Sequence, residues 1–163
     1  WKSFKNLNKN SIGIELVNKG HEFGYEKFSK VQISKLIKLC LNLKRKYNIK
    51  DSNIVGHSDI APLRKQDPGE KFPWKKLQKK KLGIWYKNFK FKSKGQINKK
   101  NVKSFYKNLF KIGYRYFDQN KRTSKDALIV KAFQRRFLPR EITGQINEKT
   151  YIISQFLAIR SKN

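Results

Sequence analysis

The residues best suited to chemistry crowd into one stretch, Gly56 to Trp74, which reads GHSDIAPLRKQDPGEKFPW. It holds one of the two histidines (His57), two aspartates (Asp59 and Asp67), three of the four prolines and the pair Arg64-Lys65. Zinc takes imidazole and carboxylate ligands, and a catalytic zinc uses three from the protein and keeps one position for water, so His57, Asp59 and Asp67 are all candidate ligands. A histidine and a carboxylate ten residues apart, on a loop stiffened by proline, can converge on one ion. Lys65 beside them offers a fixed cation to a developing oxyanion. A carboxylate from elsewhere in the chain, Glu15, can take a proton from the water that such an ion activates. A lone loop histidine is often structural, so residue types alone leave both readings open.

These residues need elements to position them. Pro62, Pro68 and Pro73 each disfavour a helix, so the stretch is expected to be a long structured loop. Ser11 to Val17 (SIGIELV) alternates, with Ile12, Ile14 and Leu16 on one side, and this period of two predicts a strand. Glu15 lies on the opposite side, facing either solvent or the floor of a cleft. Ser29-Lys30-Val31-Gln32 reads as a capping box. Ile33, Leu36, Ile37, Cys40 and Leu43 follow at helical spacing to near Tyr47, with Lys44, Arg45 and Lys46 in the last turn. Cys40 sits on the apolar stripe and reads as an inert buried thiol. Asn53-Ile54-Val55 reads as a short strand that delivers His57. Strand, helix and strand in this order predict an α/β first domain with a mixed sheet.

The carboxy-terminal third reads as three short helices. Val102, Phe105, Leu109 and Ile112 form one stripe closed by Gly113. Thr123 to Asp126 starts the next helix, which carries Ile129, Val130, Phe133 and Phe137 and ends at Pro139. Asn147 caps the last, with Tyr151, Ile152, Phe156 and Leu157 as its core face. Between the two parts, Lys75 to Lys81 is mostly Lys and Gln, and Gly83 to Lys94 is aromatic and basic. The expected organisation is a first domain over 1–80, a linker over 81–95 and a small helical domain over 96–163.

The chain has 163 residues, 37% of them hydrophobic, and a net charge of +29. That charge favours polyanionic partners, but the lysines are spread along the whole chain, as a composition bias also produces. One cysteine excludes an internal disulfide. No apolar run approaches the roughly 20 residues that cross a bilayer. The chain contains no methionine and begins at Trp1.

GHSDIAPLRKQDPGEKFPW resembles the signature of the zinc-dependent N-acetylmuramoyl-L-alanine amidases of the amidase-2 family, AmpD/AmiD-like branch. SIGIELVN is similar to that family's central strand, and Lys30 to Lys50 to its following helix. The resemblance runs from Leu7 to about Leu77. It implies that His57 and Asp67 are two of three zinc ligands, that Glu15 activates water and that Lys65 holds the tetrahedral intermediate. It also implies that Asp59 is structural and that Pro68-Gly69 shapes the loop. LIVKAFQRRFLPREITGQINEKTY, within Gln96 to Ile159, resembles the helical peptidoglycan-binding module that accompanies such amidases.

The family's first zinc histidine precedes the SIGIELV strand, and no histidine lies there in this sequence. His21, the remaining histidine, falls in a loop after Glu15 and reads as solvent-exposed. With Trp1 and the absent methionine, this leads to the expectation of an N-terminally truncated chain. The expected function is zinc-dependent hydrolysis of the amide between N-acetylmuramic acid and L-alanine in peptidoglycan. The alternative is an impaired remnant that only binds peptidoglycan. The expected setting is the periplasm or outer membrane. Peptidoglycan or muropeptides are the expected partners of a monomer without a transmembrane segment or a specific nucleic-acid ligand. Steep salt-dependent binding to DNA or RNA would favour a third class, a nucleic-acid binder, which the loop motif argues against.

Overall fold

The computed structural model describes residues 1–87, 89 and 97–161. Among them the regular structure is entirely helical: α1 (Leu7–Asn10), α2 (Lys30–Lys46), α3 (His57–Ile60), α4 (Trp74–Gln78), α5 (Lys99–Ile112), α6 (Asp126–Phe137) and α7 (Glu148–Arg160). A 3-10 turn occupies Asp51–Asn53.

The expected mixed sheet is absent from the described residues, and the α/β class is corrected to all-α. SIGIELV forms no ladder, and neither does Ile54-Val55, while Asn53 closes the 3-10 turn. Alternation assigns side chains to two faces but supplies no second strand, and backbone groups without a ladder partner must be satisfied by water. Accordingly Ile12, Ile14 and Val17 are all exposed, Val17 at 92%.

The helices follow their local chemistry. The Ser29 hydroxyl accepts from the Gln32 backbone N–H at 3.1 Å, which starts α2. The Gln32 amide does not close the box; it donates to the Val17 carbonyl at 2.9 Å. Asn98 and Asn147 accept from Asn101 N–H and Thr150 N–H, both at 2.9 Å, starting α5 and α7. Asp126 accepts from the Thr123 N–H and hydroxyl, each at 3.2 Å, at the start of α6. The core face of α7 is turned by one residue from expectation: Ile153, Leu157 and Ala158 are buried, and Ile152 is half-buried.

Two cores result. Ile33 and Leu36 of α2 pack with Phe72, Trp74, Leu77 and Leu82 in the smaller one. α5, α6 and α7 enclose the larger, which also takes in Trp1 and Tyr114. Trp85 packs against both cores. The Trp1 indole meets Tyr114 edge-on at 5.2 Å and donates to the Ser52 carbonyl at 3.1 Å. The aromatics around Gly83–Phe89 lie on the helices: Trp85 against Phe137 at 5.7 Å, Phe89 against Phe156 at 5.3 Å. The rest of the basic aromatic segment and the expected boundary near 95–96 fall on positions 88 and 90–96, outside the described residues.

A buried amide closes the helical part. Gln134, fully buried, accepts from the N–H groups of Thr143 and Gly144 at 2.9 Å each and donates to the Gln145 carbonyl at 2.8 Å. It also donates to the Thr150 hydroxyl at 3.2 Å, so one side chain fixes α6, the turn and the start of α7. A buried amide persists where its donors and acceptors are met in this way.

Candidate active site

The stretch Gly56 to Trp74 is not wholly a loop. One turn of helix, α3, begins at His57 and ends before Pro62. It forms because Asp59, in its first turn, accepts from the Gly56 N–H at 2.8 Å, satisfying a donor that a helix start leaves unpaired. The chain then doubles back. The Ser58 N–H donates to the Asp67 carbonyl at 2.8 Å, which sets Asp67 beside the first turn of α3. This backbone bond folds the excursion between His57 and Asp67 back on itself.

The pairing brings two of the expected site residues together. His57 Nδ1 lies 3.0 Å from Asp67 Oδ2, and both side chains are open to solvent. Two donors that each sit about 2.0–2.1 Å from a tetrahedral zinc stand roughly 3.3 Å apart. At 3.0 Å the pair is hydrogen-bonded and slightly closer than that, and its imidazole–carboxylate donor set is one that zinc accepts. Among the described residues no group of three His, Cys, Asp or Glu side chains is placed to hold a metal. Lys65 is half-buried, and Glu15 is exposed on the irregular segment after α1. The structure thus joins His57 to Asp67, while neither Lys65 nor Glu15 is tied to that pair by a hydrogen bond or ion pair among the described residues.

His21 does not join the pair. Its Nε2 lies 3.0 Å from Glu70 Oε2, and its ring stacks on Tyr25 at 4.3 Å. Tyr25 buttresses the loop after Asp67: its hydroxyl donates to the Pro68 carbonyl and accepts from the Lys71 N–H, both at 2.8 Å. Burial pushes the Tyr25 hydroxyl up to about 12. Burial also acts to raise the Glu70 carboxyl, but the His21 hydrogen bond and the Arg135 charge hold it below the ordinary carboxylate range. Burial raises the half-buried Cys40 thiol, as an inert cysteine requires.

Asp59 is bound elsewhere and is 1% exposed. Its carboxylate pairs with the guanidinium of Arg136 on α6 and accepts from the Tyr114 hydroxyl at 2.5 Å. Burial, then the Asp59 charge, drive the Tyr114 hydroxyl well above its ordinary value. Arg136 also donates to the Ile54 carbonyl at 3.2 Å and lies over the Trp74 ring at 4.0 Å. Its neighbour Arg135 donates to Gln66 Oε1 at 3.1 Å and lies 3.8 Å from Glu70. Sequence reasoning missed these arginines. The available signal was Arg136 itself, a charge seven residues after Ile129 and three after Phe133 on the apolar stripe of α6.

The profile of the amidase-2 family, N-acetylmuramoyl-L-alanine amidases, matches residues 1–70. The solved structure of AmpDh3 from Pseudomonas aeruginosa is 30% identical, with a TM-score of 0.85, covering 100% of this chain and 67% of that one. This chain belongs to the amidase-2 family. N-acetylmuramoyl-L-alanine amidase AmiD of Escherichia coli (strain K12) is 33% identical over 167 residues, covering 96% of this chain and 60% of that protein. AmiD has also been solved with anhydro-N-acetylmuramic acid-L-Ala-D-gamma-Glu-L-Lys as substrate; that structure is 30% identical, gives a TM-score of 0.83 and covers 98% of this chain and 65% of its own. This amidase-2 chain thus spans about three fifths of the length of AmiD.

Proposed function

We propose that this protein hydrolyses the amide between N-acetylmuramic acid and L-alanine, in peptidoglycan or in muropeptides released from it, with zinc as its metal. The approach of His57 to Asp67 within a chain of this family carries the reading. His57 and Asp67 are the two zinc ligands this chain contributes. Zinc, when bound, supplies a Lewis acid that polarises the amide carbonyl and lowers the pKa of water. Glu15 accepts the proton of the attacking water and returns it to the leaving amine. The Lys65 ammonium stabilises the oxyanion as it develops on the carbonyl. The motif resemblance supports these two roles, and the exposure of Glu15 leaves its carboxylate open to substrate. The helical part holds the wall polymer, and the strong positive charge suits a partner bearing stem-peptide carboxylates. The same reading puts the protein in the periplasm or at the outer membrane.

The test is incubation of the zinc-supplemented chain with anhydro-N-acetylmuramyl-tripeptide, with free peptide followed by chromatography. Cleavage is expected, with Glu15→Gln and Lys65→Met each lowering the rate about a hundredfold or more. Substrate left intact by a chain that still sediments with insoluble peptidoglycan would replace the hydrolase with a wall-binding protein.

A further inference from the structure

The helical part does more than follow the site: one of its side chains reaches the base of α3. Three features meet there. The Gly56 N–H donates to Asp59, the Ser58 N–H donates to the Asp67 carbonyl, and the Asp59 carboxylate pairs with Arg136. His57 lies inside this set, between the two backbone donors. α3 is one turn long, and a helix of that length does not hold its shape alone. What Asp59 binds therefore bears on its orientation, beside the packing of Ile60 on the larger core.

We propose that Arg136 is a positioning residue for the His57–Asp67 pair, acting through Asp59. The inference rests on the amidase reading for its consequence in catalysis, but not for its geometry. The Arg136 and Asp59 side chains are deeply buried, with 2% and 1% of each exposed. A buried pair cannot exchange its partner for water without large cost, so the carboxylate stays where the guanidinium is. Arg136 is itself fixed from two more directions, by the Ile54 carbonyl on the segment leading into α3 and by the Trp74 ring at the end of the motif. Both ends of the stretch are thereby referenced to one guanidinium on α6. Arg135 adds a second hold from the same helix, reaching Gln66 immediately before Asp67. The sequence separation between Asp59 and Arg136 is 77 residues, so the site's geometry depends on a helix outside the region matched by the family profile.

Ser58 supplies a direct reporter, because its N–H bonds to the Asp67 carbonyl and its exchange reads whether α3 and Asp67 remain together. Amide exchange by NMR is compared in the full chain, in Arg136→Met and Arg136→Lys, and in Leu157→Ala, which weakens the helical core far from Asp59 in sequence. A zinc titration follows the His57 ring resonances in each. Arg136→Met is expected to speed Ser58 exchange at least tenfold beyond any change at core amides of α5, and to raise the half-saturating zinc concentration about tenfold. Arg136→Lys, which keeps the charge but not the fork, is expected to fall between. Leu157→Ala is expected to change exchange broadly and leave zinc half-saturation as it was. Uniform exchange changes with unaltered zinc half-saturation in both Arg136 variants would overturn the proposal and leave Arg136 a purely stabilising residue. If Arg136→Met does not fold, Arg136→Lys decides by the same two readings. Loss of the amidase reading is recognisable separately, as a wild-type chain that cleaves nothing while Ser58 exchange still responds to Arg136.

Discussion

His57 Nδ1 and Asp67 Oδ2 stand 3.0 Å apart although ten residues separate them, and the bond that closes the excursion is made by the backbone of Ser58, not by either side chain. The pair is therefore a product of loop folding. Either side chain can be removed without removing the fold that presents it. His57→Ala and Asp67→Ala are each expected to lose zinc-dependent shifts in the NMR spectrum, with stability changed by less than about 1 kcal/mol, since the exposed contact between them contributes little. Metal titration alongside urea unfolding checks both halves of this expectation.

The Asp59–Arg136 pair behaves in the opposite way. Asp59→Ala leaves a buried guanidinium without its carboxylate and is expected to cost about 3–5 kcal/mol. Replacing both partners by apolar residues, Asp59→Leu with Arg136→Met, removes the stranded charge. The double variant is expected to be less destabilised than the sum of the singles. Denaturant midpoints of the parent chain, Asp59→Leu, Arg136→Met and the double variant provide the measurement.

Gly69 adopts φ +82°, and a Cβ there would lie 2.6 Å from Tyr25 Cζ and 3.0 Å from His21 Cε1. Both the backbone conformation and the ring in front of it exclude a side chain. Gly69→Ala must push Tyr25 off the Pro68 carbonyl and the Lys71 N–H. A loss of about 1–3 kcal/mol is expected, together with weaker zinc binding at the adjacent Asp67. Thermal unfolding and the same metal titration test it.

Tyr25 adds a stabilising contribution that is lost at alkaline pH. Its hydroxyl is raised to about 12 in the folded chain, with burial the largest cause, against about 10 when unfolded. Between these values the folded state binds the proton more tightly, so stability is fully present below pH 10 and falls as pH rises toward 12. After discounting for its partial exposure, the contribution is about 1 kcal/mol. Tyr25→Phe cannot ionise, so its stability is expected to fall less steeply over that window than that of the parent chain. Unfolding free energies on either side of about pH 10 give the comparison.

The sequence by itself determined the candidate residues and most of the helices. His57, Asp67, Lys65 and Glu15 are legible as types at fixed spacing, and Ser29, Asn98 and Asn147 sit at helix starts because local side-chain bonds need no distant partner. It did not determine the sheet. SIGIELV has the alternation of a strand, yet a strand is a property of two segments, and among the described residues nothing pairs with this one. Nor did it show that α6 is bonded to the Gly56–Trp74 stretch. The Arg135-Arg136 dipeptide looks like one more pair among 40 basic residues. Only the tertiary structure buries one of the two against Asp59, because a charge's partner is set by where the chain folds back and not by its neighbours in sequence.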